Sequence, residues 1–368
     1  MCGSDAGPGG LGVAAALGVE NVGELFAVTN DAAAPDLPPV LYHYTDAAGL
    51  QGILGPGRGP GSTVFPDEET RYVYRDDLNL YTHGKAALFR ATDLRYMNDS
   101  LELSFGARIV RDRLREAAGE EGIEPLLASA FTQVADDFDP ESLFDWSFRC
   151  FAVCFCGDGD LLSQWRGYAG GSGGFSIGFP RHILESHSYG VFAKMAHHTF
   201  DVPVSADLVQ VVYGRSDAEA RADLLVDSLK EKFATGALVP DLDDRPVFAA
   251  GMAAFRAIAG MKHEAFAEER EWRLVTVMLS NQQVRTRARA SGVVPYLDVV
   301  VNSRLSGDHG PLNVSDSPLH EVVVGPSENP AAQVAGVRDL LASRGVQGFR
   351  APGLREVPVV LSAAPFRS

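Results

Sequence analysis

The sequence predicts an α+β fold. Short strands alternate with helices in irregular order, with no βαβ period, no GxGxxG after a strand and no internal repeat. Leu274-Val275-Thr276-Val277-Met278-Leu279 reads as a buried strand, whereas Leu103, Ala107, Val110 and Leu114 repeat at helical spacing.

Residues 1 to about 39 are rich in Gly, Ala, Pro and Asp and predict a weakly ordered extension with one short helix near Val22–Val28. A single α+β domain with helical insertions is expected over 40–368. It opens with the strand Val40–Thr45 and a short helix through Leu50–Leu54, ended by the Gly/Pro cluster at Gly55–Gly61. Leu88–Ala91 is a second short strand. Asp99 and Glu102 stand in capping-box spacing before the helix of Leu103. A further helix covers about Ile123–Ala135, and strands follow at Arg149–Cys156, Gly173–Phe179 and Leu208–Tyr213. Asp217–Lys232 is an amphipathic helix. Pro246 opens another through about Met261, with the stripe Phe248, Met252, Phe255 and Ala259. Lys262 continues that stripe, either reaching a cleft or snorkelling at the helix end. Strands at Val293–Val301, Leu319–Val324 and Val357–Ser362 and a helix at Pro330–Arg344 complete the set.

Hydrophobic content of 46% and charged content of 22% are globular values. A net charge of −16, from 32 basic and 48 acidic residues, opposes non-specific nucleic-acid binding over the whole surface. It leaves room for a local basic patch, for which Arg285, Arg287 and Arg289 alternate on one strand face; an ordinary solvated face is the other reading. No run of 18 apolar residues exists, so no membrane helix is expected. No Lys or Arg precedes Arg58, so a basic signal region is missing and a cytoplasmic location is the default. Four cysteines are too few for a disulfide framework. Cys150, Cys154 and Cys156 alternate along one strand, about 6.6 Å apart per pair of residues. Zinc would need sulfurs within about 3.8 Å, so these are buried strand thiols and no metal is expected. Gly170–Gly174 lacks the Lys-Ser/Thr of a phosphate loop.

The most informative segment is Glu269-Arg270-Glu271-Trp272-Arg273, whose charges run straight into a core strand. Burying such groups costs several kcal/mol unless they are paired or used. The segment is therefore either the floor of a polar cleft or a solvated strand end.

Taken in order, Leu41-Tyr42-His43-Tyr44-Thr45, Met97–Glu102, Ser163-Gln164-Trp165-Arg166-Gly167-Tyr168-Ala169, Gly174-Phe175-Ser176-Ile177-Gly178-Phe179, Glu269–Arg273 and Ser362–Arg367 resemble a bacterial family known only as a domain of unknown function. That resemblance spans about 41 to 367. The opening strand and the following Ala48-Gly49-Leu50-Gln51-Gly52-Ile53-Leu54 are also similar to the start of ADP-ribosyltransferases, including DNA-targeting toxins.

That second resemblance implies split β-sheets with peripheral helices, NAD as substrate and a role in bacterial toxicity or phage defence. It implies that His43 holds the NAD ribose, Tyr168 stacks on nicotinamide and Glu271 contacts the ribose hydroxyl, with Glu269 completing a Glu-x-Glu pair. Tyr44, Thr45, Trp165 and Ser176 would help bind the dinucleotide. Arg166 or Arg273 would meet its pyrophosphate. The ADP-ribose acceptor, protein or nucleic acid, is left open, as is a protein partner. The chemistry suits these types, since nicotinamide loss passes through an oxocarbenium-like state that a fixed anion stabilises. Each residue also has a structural reading: His43 as a satisfied strand histidine, Tyr168 and Trp165 as core aromatics, the arginines as ion-pair partners. A metal-dependent nuclease using Asp99, Glu102, Glu269, Glu271 and Lys262 is the alternative class. A ligand-sensing domain is the third.

Overall fold

The computed structural model describes residues 37–54, 86–97, 100–168, 173–186, 188–191, 203–236, 245–280, 284–289, 292–302, 317–344 and 356–365. The N-terminal extension expected over 1–39 lies outside them except for 37–39. In chain order the strands are β1 (Val40–Thr45), β2 (Ala86–Asp93), β3 (Phe148–Cys156), β4 (Phe175–Pro180), β5 (Ser188–Val191), β6 (Pro203–Ser205) and β7 (Asp207–Gln210). Then come β8 (Val212–Tyr213), β9 (Met261–Lys262), β10 (Glu271–Leu279), β11 (Arg285–Arg289), β12 (Gly292–Asn302), β13 (Glu321–Val324) and β14 (Val359–Leu361). The helices are α1 (Ala47–Ile53), α2 (Ser100–Ala118), α3 (Pro125–Asp137), α4 (Leu162–Tyr168), α5 (Arg181–Ser186), α6 (Arg215–Ala234), α7 (Arg245–Ala259) and α8 (Pro330–Ser343).

One large, mostly antiparallel sheet of twelve strands joins all but β8 and β9, which pair with each other. β3 is its spine. One side of β3 pairs with β10 from Glu271↔Cys156 to Leu279↔Phe148. The other side is shared by two strands: β2 takes Thr92↔Ala152 and Asp93↔Phe151, and β1 takes Tyr42↔Cys156. From that parting one arm runs β1-β4-β13-β14, and the other runs β2-β12 with β5, β6 and β11 beyond; within this sheet β13 and β14 are the parallel pair among the described residues.

Cross-strand partners project to the same face, so register sorts the side chains. Cys150, Ala152, Val275 and Val277 face a helical layer built from α2, α3, α6 and α7. Phe151, Val153, Phe155, Trp272, Leu274 and Met278 face the opposite way, toward Leu50, Ile53, Leu184, Val337 and Leu341. β3 and β10 are thus covered on both sides, which is why their sequences read as apolar runs and not as alternation.

The helices form where capping and stripe agree. Leu103, Ala107, Val110 and Leu114 of α2 are all buried. Glu124 caps α3 by accepting from the Leu126 and Leu127 amides, with Pro125 in the first turn. Asn329 and Pro330 open α8 in the same way. Two expectations are corrected. The strand Leu208–Tyr213 is broken at Val211 into β7 and β8, whose residues are half-buried. The helix α7 ends at Ala259, short of Met261, because Gly260 lies against α6. A Cβ there would sit 2.0 Å from Arg221 Nη1, which donates to the Gly260 carbonyl. No helix among the described residues is long and apolar enough to cross a membrane.

On α7, Phe255 is fully buried among Trp146 and Phe138, with ring centroids at 5.2 and 5.4 Å, whereas Phe248 is 39% exposed. Phe255→Ala is expected to lower unfolding free energy by about 3–5 kcal/mol, and Phe248→Ala by under about 1 kcal/mol. Urea unfolding of the two variants checks this.

Candidate functional site

The early end of α7 turns the chain into β9, where Lys262 pairs in parallel register with Tyr213 of β8. A 3-10 turn, Glu264–Glu269, then returns the chain to the sheet. Between that turn and β10, Arg270 adopts the left-handed conformation at φ 45°, ψ 48°. This is a strained choice for a residue with a Cβ, costing about 1–2 kcal/mol. It folds Glu269 back beside Glu271 instead of leaving the two strung along one strand. The bend is fastened by the Gly157 amide on the Arg270 carbonyl (3.2 Å) and the Cys156 thiol on the Glu269 carbonyl (3.1 Å).

Four charges meet there. Arg273 grips the Glu271 carboxylate with Nε (2.8 Å) and Nη2 (2.9 Å), and Nη1 donates to the Ala259 carbonyl (2.8 Å). Lys262 Nζ donates to Glu269 (2.7 Å) and Glu271 (3.1 Å) and lies 4.7 Å from the Phe266 ring centre. The Cys154 thiol adds a hydrogen bond to Glu271, and the Tyr213 hydroxyl accepts the Glu271 amide at 2.7 Å. Lys262, Glu271 and Arg273 are buried; the Glu269 side chain is 30% exposed at the lip.

Burial alone would raise the Glu271 pKa. The charge and hydrogen bonds of Arg273, aided by Lys262 and Cys154, outweigh it and hold the carboxyl down at about 2. Burial pushes the Tyr213 phenol up to about 12, and the Cys154 thiol is raised well above its usual value by burial and then by Glu271. The site thus holds a permanent carboxylate surrounded by neutral donors and two paired cations.

Tyr168 ends α4 next to this network. Its phenol pKa is raised by burial first, then by its neighbours Cys154, Glu271 and Glu269. The residue as a whole is 47% exposed. What aims α4 is a clamp around Asp160. Its carboxylate accepts from Trp165 Nε1 (2.7 Å), the Ala363 amide (2.6 Å) and the Ser362 hydroxyl. Tyr44 donates to the Asp158 carbonyl and accepts the Leu161 amide, both at 2.8 Å, and packs edge-on against Trp165. Tyr44 and Trp165, expected to touch the dinucleotide, are buried supports, and Ser176 is fully buried opposite Tyr44. Ser362 and Ala363 of the closing segment act as a strap on α4, while Phe366 and Arg367 lie outside the described residues.

The expected meeting of His43, Tyr168 and Glu271 in one hollow does not occur. Glu271 shares a sheet face with Cys156 and Tyr42, whereas His43, one residue on in β1, projects to the other face. There its ring packs edge-on to Phe89 (5.1 Å) and Phe155 (5.8 Å), with Nδ1 2.8 Å from the Cys154 carbonyl. Burial lowers its pKa, so the ring is neutral and Nδ1 carries the donating proton. Thr45 lies on that same far face, at the start of α1, and Arg166 is exposed on α4. Arg273 is occupied by Glu271 and the Ala259 carbonyl, not turned to an open pyrophosphate site.

The alternative of Lys262 snorkelling from a helix end is also corrected: it is a buried strand residue bridging two carboxylates. Of the carboxylate set considered for a metal, Glu269 and Glu271 meet Lys262; Asp99 lies outside the described residues, as does the side chain of Glu102. Among the described residues no group of three or more His, Cys, Asp or Glu is arranged to hold a metal. Cys150 and Cys156 are buried and Cys154 is partly so. The sequence reading missed Cys154 and Tyr213 as partners of Glu271. Their only signal is long-range pairing: Cys154 faces Arg273 across β3 and β10, and Tyr213 faces Lys262 across β8 and β9.

Residues 164–274 match the family described as "Protein of unknown function (DUF2971)". The similarity is to a family without an assigned activity. It is narrower than the span of 41 to 367 first expected, yet runs from Gln164 in α4 to Leu274 in β10 and so contains Tyr168, Lys262, Glu269, Glu271 and Arg273. His43 lies outside it. Neither the curated proteins nor the solved structures yield a match.

Because the folded pKa of Glu271 is depressed from 4.5 to about 2, its contribution to stability is present above about pH 4.5 and is lost as pH falls toward 2. The stability deficit of Glu271→Gln, on the order of 3 kcal/mol at pH 6, is expected to shrink through that window. Urea unfolding at pH 6, 4 and 3 reads this; a deficit independent of pH would assign the loss to packing. Arg270→Gly is expected to leave the melting temperature unchanged or higher, and Arg270→Val to lower stability by about 1–2 kcal/mol. Thermal melts of both variants check it.

Proposed function

We propose that this chain is a NAD-consuming enzyme of ADP-ribosyltransferase type, with its site at the mouth of β10. One observation carries the reading: the buried Glu271 carboxylate is held ionised by Arg273 and Lys262, near enough to Tyr168 to raise its phenol pKa, with a second carboxylate, Glu269, 30% exposed beside it. The parting of β1 and β2 from one side of β3 supports a split-sheet fold of that type.

In this reading the ring of Tyr168 receives the nicotinamide. The bond between nicotinamide and ribose C1 breaks with its electron pair leaving on nicotinamide, and positive charge builds on the ribose. Glu271 stabilises that charge without having to lose a proton first, since Arg273 and Lys262 keep it ionised. Glu269, the more accessible acid, takes the proton of the incoming acceptor or water. His43 has no part, being on the far face.

Incubation of the purified chain with NAD, reading nicotinamide release, is the test. Glu271→Gln is expected to lose about 100-fold or more in kcat. Tyr168→Ala is expected to act mainly through KM, and His43→Gln to stay within a few-fold of the parent. Activity unchanged in Glu271→Gln, or a folded chain that releases no nicotinamide, rejects the proposal. Product analysis then separates transfer from hydrolysis. A second reading, a ligand-sensing module, is favoured by the self-neutralised network of two acids and two bases; saturable NAD binding without turnover is its signature.

A further inference from the structure

The other arm of the sheet carries a cluster that this activity does not use. Register places Arg285, Arg287 and Arg289 of β11 on one face with Tyr296 and Asp298 of β12 and Arg90 and Thr92 of β2. The guanidinium carbons of Arg90 and Arg287 lie 5.4 and 5.5 Å from the Tyr296 ring centre. Arg287 Nη2 donates to Thr92 Oγ1 (2.7 Å) and to the Arg90 carbonyl (3.3 Å), and Arg289 Nη2 reaches the same hydroxyl at 3.5 Å. Asp298, the one acid that register places on this face among the described residues, pairs with Arg285 at 3.2 Å. Among the described residues, no ion pair is made by Arg90, Arg287 or Arg289, and Arg287 Nε is buried without a hydrogen-bond partner.

Such crowding of like charge is unfavourable by itself. Burial, then the charges of Arg289 and Arg90, lower the Arg287 pKa to about 10. In a chain of net charge −16 acids are abundant, yet among the described residues the acid seen pairing on this face is Asp298. Two guanidiniums, those of Arg287 and Arg289, are held by neutral oxygens and a third, that of Arg90, lies against the Tyr296 ring. Together they offer forked N–H pairs to one region, which suits an anion with three or four oxygens better than a two-oxygen carboxylate. Thr92 and Tyr296 keep the forks in place.

We propose that the face formed by Arg90, Arg287, Arg289 and Thr92 binds a phosphoryl group. Tyr296, at the centre of the cluster, lies roughly 20 Å from Glu271, counting three strand spacings across and four residues along, and Arg287 and Arg289 are one strand further, so it is a separate site. A free polyphosphate and the backbone of a nucleic-acid strand present the same group, and the experiment distinguishes them.

Isothermal titration of the full chain at low salt uses two probes, sodium pyrophosphate and a twelve-nucleotide single strand. Arg287→Gln and the exposed Arg289→Gln are compared with the parent, with thermal melts confirming folding. Each variant is expected to weaken binding about tenfold or more. Pyrophosphate binding with no gain for the oligonucleotide identifies a small-phosphate site. Tighter oligonucleotide binding that falls with salt at a slope of about −2, from two to three phosphates neutralised, identifies a strand. Absence of binding by both probes at millimolar concentration overturns the proposal, as does binding equal in parent and in folded Arg289→Gln.

Discussion

A carboxylate cannot be left alone in a protein interior, and the arrangement around Glu271 follows from that constraint. Its desolvation cost, several kcal/mol for an isolated charge, is offset by a bidentate arginine on its own strand and a lysine from β9. Holding the lysine there requires α7 to stop at Gly260 and the chain to form β9. Holding Glu269 against the same lysine requires the left-handed bend at Arg270. The helix end, the short strand and the strained residue are thus parts of one electrostatic solution. Its by-product is a carboxylate that remains charged at every physiological pH, which is the property that chemistry at a developing cation needs.

β3 determines what can meet this anion. Because β10 covers one whole side of it while β1 and β2 divide the other, side chains on its two faces are separated by a continuous backbone layer. Tyr168 comes near Glu271 because α4 returns over the same face, held there by the Asp160 clamp. His43 is one residue away from the correct parity in β1, and a single step along a strand is enough to move an imidazole from the site to the opposite core. The same rule gathers the arginines of β11 with Arg90 and Tyr296 on the far arm.

Much of the architecture was legible along the chain. Most strands and helices fall within a few residues of where periodicity puts them, because those signals are local: the stripe of α2, the proline that opens α7, the apolar run of β10. The charged entry to β10 was also legible as a site candidate, since four ionisable groups before a core strand are costly wherever they lie. The helix α4 was missed, as Trp165, Gly167 and Tyr168 give it little helical propensity and its stability comes from docking against Tyr44 and Gly325. The stripe from Phe248 through Ala259 carried the expectation past its true end to Lys262, because Gly260 is stopped by Arg221, a residue almost forty positions earlier.

The sequence by itself determined the α+β class, the buried strand that became β10 and the Glu269–Arg273 segment as a place where charge meets core. Only the tertiary structure decided which side chains share that place, that Lys262, Cys154 and Tyr213 belong to it and His43 does not. The reason is physical: periodicity records which residues are buried, whereas strand order and register, set by pairings of residues a hundred or more positions apart, decide what each buried residue faces.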